Sequence, residues 1–233
     1  MYFAPEVPCR RTLIKKDRYM GYTYSFMEKR ILVTGFEPFL NFSENPTAKI
    51  ATYLNEKTSD NLKFSGRILP VDYENVEQKL VGFIDETKPN LIIGTGLAAG
   101  RAKISIEKIA INYKYSQEKD NKGNRSKGER IDSSIEDGIF SLLSVEKLVQ
   151  LLNKKMIPAE VSLTAGAYLC NYAMFVIVRE SKRRKIKGGF IHVPADLKLS
   201  SSNAEKSYPS LNIETMMDAL KIVSNFELNG KSR

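Results

Sequence analysis

Apolar positions recur along this chain in two rhythms: short continuous runs bounded by glycine, proline or charge, and longer stretches where they return every three or four residues. Arg30 to Gly35, Phe64 to Leu69 and Asn90 to Gly94 read as buried strands, and continuous apolar runs of this kind suit a parallel sheet covered on both faces. Between them, Asn45-Pro46 offers an N-cap and a proline at the first helical position, which predicts a helix from Pro46 to about Glu56. Val76, Leu80, Phe83 and Ile84 mark a second helix that stops before Pro89. Val145, Leu148, Val149 and Leu152 mark another, capped by Ser144, and a last helix carries Ile213, Met216, Met217 and Leu220 and ends near Phe226. This alternation predicts an α/β fold: a single open, mostly parallel twisted sheet with helices on both faces.

Other stretches keep no such period. Residues 1–27 show neither a core-forming pattern nor an apolar run of signal-peptide type, so they read as an unstructured N-terminal arm or an over-long start. The α/β domain is expected over 28–228, with a frayed tail at 229–233. Gln117 to Arg130 is polar, charged and glycine-containing, hence a loop or a mobile flap, and Ala195 to Pro209 is rich in serine and lysine. Lys103 to Tyr113 alternates imperfectly, as an extended segment with a bulge would. Within it Glu107 stands among isoleucines, where a carboxylate is costly unless paired; the alternative is a surface charge on an edge strand. Gly94-Thr-Gly-Leu-Ala-Ala-Gly100-Arg101 has glycines without the spacing of a dinucleotide loop, and it reads as a place where backbone N–H groups approach a ligand.

The stretch Ser162 to Asn171 concentrates the candidate chemistry. Val161 to Thr164 reads as a strand end, Ala165-Gly166 as a tight turn and Tyr168 to Glu180 as a helix apolar on most sides, which puts Cys170 in the first helical turn. Unpaired N–H groups and the positive end of the helix dipole favour an anion there, so the thiolate form is favoured too. His192 is the sole histidine of 233 residues and ends the run Gly188 to Pro194, so a Cys–His mechanism has one assignment available. The alternative for each is a structural role, as a small core residue and a strand-end histidine. Their common placement at strand ends, where α/β sheets bind ligands, favours chemistry. Phe36 and Phe39, in the loop after the first strand, either plug the core or line a pocket.

Composition narrows the function classes. Apolar residues make up 42% and charged residues 27%, ordinary for a globular protein. No apolar run approaches the roughly 20 residues of a membrane span. The net charge of +9 is dispersed: residues 1–26 hold +3, and six Lys/Arg against one Glu lie between Arg179 and Lys187, where cations complement a helix C-terminus. No aromatic-interleaved basic strand accompanies them, which argues against a nucleic-acid partner. Two distant cysteines, Cys9 and Cys170, form no disulfide framework, and a reducing cytoplasm is the expected compartment.

Four motifs stand in order along the chain. They are Thr34-Gly-Phe36-Glu-Pro-Phe39 with Asn45-Pro46; Gly96-Leu-Ala-Ala-Gly100-Arg101 running to Ile106-Glu107-Lys108-Ile-Ala-Ile-Asn112; Ala165-Gly-Ala-Tyr-Leu-Cys170-Asn171; and Gly189-Phe-Ile-His192-Val-Pro194. Together, over about residues 30–225, they resemble the type I pyroglutamyl peptidases. The resemblance implies a cysteine peptidase that removes an N-terminal pyroglutamyl residue from peptides, through a triad falling on Cys170, His192 and Glu107. It implies that Phe36 and Phe39 sandwich the pyrrolidone ring and that backbone groups of Gly96, Leu97 and Ala98 bind the ring amide. It implies no cofactor, no metal, no membrane partner, and a homo-oligomer. Departures from the family pattern are Lys108 for an arginine, Tyr115-Ser-Gln117-Glu118 for an Asp-Ala-Arg run, and Ala195-Asp-Leu for a Tyr-Ile-Pro run. They leave two alternatives open: a non-catalytic pyroglutamyl-peptide binder, or an amidase on another acyl substrate.

Overall fold

The structure is a computed structural model, which describes residues 28–59, 61–202 and 207–230. The expected arm lies outside the described residues. In chain order the first elements are β1 (Lys29–Phe36), α1 (Pro46–Leu54), β2 (Thr58–Ser59), β3 (Leu62–Leu69), α2 (Val76–Thr87) and β4 (Leu91–Leu97). Then come β5 (Ile104–Glu107), β6 (Ile109–Ile111), β7 (Lys114–Tyr115), β8 (Lys127–Glu129), β9 (Gly138–Phe140) and α3 (Val145–Lys154). The chain ends with β10 (Ala159–Ser162), α4 (Leu169–Arg184), β11 (Lys187–Val193), α5 (Leu197–Ser202) and α6 (Ile213–Asn229).

Seven strands form one sheet in the order β10-β5-β11-β4-β1-β3-β2. β11, β4, β1 and β3 run parallel; α1 crosses from β1 to β3, α2 from β3 to β4, and α4 leads into β11. β5 and β10 run parallel to each other but antiparallel to β11, and the short β2 reverses on β3. Helices α1, α3 and α6 cover one face, where Ile31, Ile50, Phe64, Ile93, Leu148 and Leu220 meet. Helices α2 and α4 cover the other, with Leu32, Leu80, Ile92, Phe175 and Phe190 between them and the sheet. Each such side chain removed from water contributes about 1.5–3 kcal/mol.

Local signals account for most element ends. Asn45 caps α1 by accepting from the Thr47 N–H at 3.0 Å, and Pro46 occupies the first helical position, where its missing N–H costs nothing. Helix α4 is buried on nearly every side, from Leu169 through Ser181, because it lies between the sheet, α2 and the β6–β9 ribbon. Gly166, with φ at +78°, makes the turn that precedes it. Asn171, fully buried on α4, accepts from the Ile111 N–H and donates to the carbonyls of Ile111 and Tyr113, fixing that ribbon to the helix.

The structure departs from the sequence pattern in six places. The strand expected over Asn90 to Gly94 continues to Leu97, so Gly96 and Leu97 are strand residues and only Ala98 onward is loop. Phe36 is likewise the last residue of β1. Ser144 precedes α3 but makes no side-chain cap; its N–H donates to Glu227 of α6 at 2.5 Å. Gln117 to Arg130 contains β8, which pairs with β7, and Ala195 to Pro209 contains α5, whose start is held by Asp196 accepting from the Leu199 N–H. Glu107 is no edge residue: β10 flanks β5 on one side and β11 on the other.

Candidate active site

Three side chains far apart in sequence meet on the α4 face of the sheet. His192 is the penultimate residue of β11, and its Nδ1 lies 2.8 Å from Oε1 of Glu107. The antiparallel register sets Ile191 opposite Ile106 and His192 opposite Ser105. Glu107 therefore sits diagonally from His192 with its side chain on the same face. Cys170 comes from the second residue of α4. β10, which leads toward it, runs opposite to β11, so the segment after Ser162 must carry the chain back before the helix begins. Cys170 is therefore not delivered by the carboxyl end of a parallel strand, contrary to the simple reading of the sequence.

Gly96 makes the meeting possible. A Cβ at that position would lie 2.8 Å from the Cys170 Sγ, closer than real contacts allow, and a tight 3.0 Å from Cδ2 of His192. The missing side chain is the space in which thiol and imidazole approach one another. With Nδ1 engaged by Glu107, Nε2 is the nitrogen left for the thiol.

The carboxylate of Glu107 is fully buried, and its Oε1 also accepts from Nη1 of Arg101 at 2.9 Å. Arg101 reaches on to Ser162 Oγ and the Thr164 carbonyl, so it ties Glu107 to the segment that approaches Cys170. Burial opposes a charge on His192, but the Cys170 sulfur and the Glu107 carboxylate outweigh it and push the imidazole up to about 9. Lys108, which replaces an arginine of the family pattern, turns away and pairs with Glu146 of α3 at 2.8 Å.

Beside Cys170 opens a small apolar cavity of about 20 Å³, lined by Phe36, Phe39, Asn45, Val71, Leu97, Tyr168, Leu169 and Cys170. Phe36 is 3% exposed and belongs to the core, whereas Phe39 is half-buried and packs against Phe42 in a tilted arrangement at 5.7 Å. The phenylalanine pair thus plugs the core at one position and lines the slot at both. Burial pushes the Tyr168 phenol up to about 12, assisted by the negative charge of Asp120 and by Cys170. The hydroxyl keeps its proton and donates to the Lys119 carbonyl at 3.0 Å.

Of the residues picked from the sequence, Phe36, Phe39 and Leu97 share this cavity with Cys170, while Gly96 faces the Cys170–His192 contact. Ala98 stands apart: its N–H donates to the Val193 carbonyl at 2.9 Å and its own carbonyl accepts from the Arg101 N–H. Arg101, Val71, Tyr168 and Leu169 carried no assignment from sequence. Only Tyr168 and Leu169 could have had one, from their place just before Cys170. Among the described residues no group of three or more histidine, cysteine or acidic side chains is arranged to hold a metal, and no helix is long and apolar enough to cross a membrane.

Comparison with known proteins gives a consistent result. The family model described as pyroglutamyl peptidase matches residues 29–228. Pyrrolidone-carboxylate peptidase 1 of Saccharolobus solfataricus is 48% identical over 203 residues, covering 87% of this chain and 96% of that relative. A pyrrolidone-carboxylate peptidase of Oceanobacillus iheyensis is 41% identical, covering 82% of this chain and 96% of its own. Among solved structures, the pyrrolidone carboxyl peptidase from Thermococcus litoralis superposes with a TM-score of 0.82 at 34% identity, over 86% of this chain and 94% of that one. A mutant pyrrolidone carboxyl peptidase from Pyrococcus furiosus gives 0.83 at the same identity, over 86% and 99%. With the family model spanning nearly all of the described fold and the relatives matched almost end to end, the chain belongs to the pyroglutamyl peptidase family.

Proposed function

We propose that this protein is a cysteine peptidase that removes an N-terminal pyroglutamyl residue from peptides, with Cys170 as nucleophile, His192 as general base and acid, and Glu107 as the group that orients and charges the imidazole. The observation that carries the reading is the position of His192 between Glu107 Oε1 and Cys170, with Cys170 itself lining an apolar slot that contains Phe36 and Phe39. Pyroglutamate has no charged amine, and a flat, uncharged ring suits a slot whose walls are aromatic and aliphatic.

In this mechanism His192 takes the proton of Cys170, and Sγ attacks the carbonyl carbon that joins the pyroglutamyl ring to the next residue. The carbonyl oxygen gains the electron pair and faces the first N–H groups of α4, which have no partner within the helix. As the C–N bond breaks, His192 gives its proton to the leaving amine, and a thioester to Cys170 remains. Water then attacks the thioester while His192 accepts its proton; pyroglutamate leaves and the thiol is restored. Glu107 holds the imidazole through its Nδ1 and stabilises the imidazolium of each step.

The ring is held in this reading by Phe36 and Phe39, with backbone groups around Gly96 and Leu97 meeting the lactam. Ala98 contributes least, because its N–H already serves Val193. We further propose that the domain over 28–228 is sufficient for activity, that the protein works in the cytoplasm, and that it assembles as a homo-oligomer. The deciding experiment is turnover of a pyroglutamyl-coumarin amide by the purified protein, with iodoacetamide as inhibitor. Activity abolished by one equivalent of alkylation at Cys170 supports the assignment. A protein that takes up the label but cleaves no pyroglutamyl amide is a binder or an amidase of other specificity.

A further inference from the structure

Four consecutive residues of the charged segment after β7 together grip three other strips of the chain. The Lys119 carbonyl accepts from Oη of Tyr168 at 3.0 Å, and Asp120 Oδ2 accepts from the Tyr73 N–H at 3.1 Å. Asn121 donates through Nδ2 to Glu37 Oε1 at 2.8 Å and to the Pro38 carbonyl at 2.9 Å, and through its N–H to the Val71 carbonyl at 2.9 Å. Lys122 pairs with Asp72 at 2.8 Å. Asp120, only 5% exposed, also accepts from the N–H groups of Lys122 and Asn124, so the turn is closed on itself before it grips anything else.

These anchor points are the walls of the apolar slot. Glu37 and Pro38 are the two residues between Phe36 and Phe39, while Val71 and Tyr168 line the cavity directly. Glu37 Oε1 accepts from the Val71 N–H at 3.1 Å as well as from Asn121, so one carboxylate oxygen joins two walls through a third segment. β1 and β3 stay in register to Phe36 and Leu69, and the Glu37 N–H donates to the Leu69 carbonyl at 3.1 Å, but beyond that point the sheet does not tie the loop after β1 and the segment after β3 to the start of α4. The turn at 119–122 spans all three.

We infer that this turn is a clamp that sets the width of the slot, and that Asn121 is a positioning residue for ring recognition in the proposed reaction. Asn121 touches neither the reacting atoms nor the slot; it acts through Phe36, Phe39 and Val71. Releasing it should let the walls part, weakening the grip on a small flat ring while leaving thiol, imidazole and carboxylate where they are. The inference deepens the pyroglutamyl reading and rests on it for the identity of the ring.

The test is Asn121→Ala, read in two independent ways. Hydrogen exchange needs no substrate: peptides covering 36–42 and 69–75 should exchange faster than in the wild type, while those from β11 and the middle of α4 should not change. Unchanged exchange in both segments overturns the clamp. With pyroglutamyl-coumarin, KM should rise about tenfold while kcat at saturation and the iodoacetamide rate of Cys170 stay within about twofold. A fall in kcat and labelling together with KM would show general disorder and overturn the positioning role. The paired change Asn121→Asp with Glu37→Gln reverses donor and acceptor across the contact and should recover part of the lost affinity, whereas Asn121→Asp alone sets two carboxylates together and should not. If the wild type cleaves no pyroglutamyl amide, the substrate reading fails, and the exchange data still decide the clamp.

Discussion

Arg101 and His192 converge on a single atom: Oε1 of Glu107 accepts from Nη1 of the first at 2.9 Å and from Nδ1 of the second at 2.8 Å. The carboxylate is fully buried, and an unpaired charge there would cost several kcal/mol. Arg101 supplies a permanent counter-charge beside the buried carboxylate, on the same oxygen that holds His192. The carboxylate holds the imidazole through Nδ1 and leaves Nε2 to exchange protons with a thiol and a leaving amine.

Cys170→Ser and His192→Gln should each lower kcat/KM by about a thousandfold or more while Tm moves by about 3 °C or less. Neither change removes large apolar volume. Retention of more than a few per cent of turnover by either protein, measured after excluding wild-type contamination, would remove that residue from the proposed triad.

The alkaline limb of the pH–rate profile should report His192. Its imidazolium is held up to about 9, so the general acid is present below that value and lost as pH rises through it. The same sign governs stability: what the charged His192 contributes is complete below its ordinary value near 6.5 and disappears as pH passes about 9. Glu107→Gln removes one of the charges that raise it, so the limb should move to lower pH and kcat should fall less than in the Cys170 and His192 variants. A limb that does not move would mean that another group controls it.

Arg101→Met should move the same limb the other way. Loss of a cation beside the shared oxygen leaves the whole carboxylate charge to His192, raising its affinity for the proton. We expect kcat/KM to fall about tenfold, through the loosened segment at Ser162 and Thr164, with Arg101→Lys recovering part of the loss. A shift to lower pH would contradict the shared-oxygen account.

Phe39→Ala separates substrate recognition from chemistry. The side chain is half-buried at the slot, and its removal should cost on the order of 1–3 kcal/mol of binding, or roughly 5- to 150-fold in kcat/KM, with alkylation of Cys170 unchanged. Phe36→Ala is a poorer probe, because that ring is a core residue and its loss should lower stability by about 3–5 kcal/mol. If Phe39→Ala cleaves pyroglutamyl-coumarin as well as the wild type, the ring binds elsewhere.

The sequence by itself determined the elements whose signals are local. The long period of α4, its preceding Gly166 turn and the position of Cys170 in its first turn follow from residues within a few places of one another, as does the Asn45-Pro46 start of α1. The sole histidine had to be His192. Tertiary structure decided the rest, because periodicity records which face of an element is apolar and carries no direction or partner. Whether Glu107 lay on an edge or in the interior depended on β10 and β11 flanking β5. Its bond to a histidine 85 residues away depended further on β5 running against β11. The apparent glycine loop became strand because β11 pairs with β4 as far as Leu97, and the charged stretch at 117–130 became a gripping turn because Glu37, Val71, Tyr73 and Tyr168 offer it partners. Each of these contacts joins segments distant in the chain, where hydrogen bonding and charge compensation are settled by packing that no short window of sequence contains.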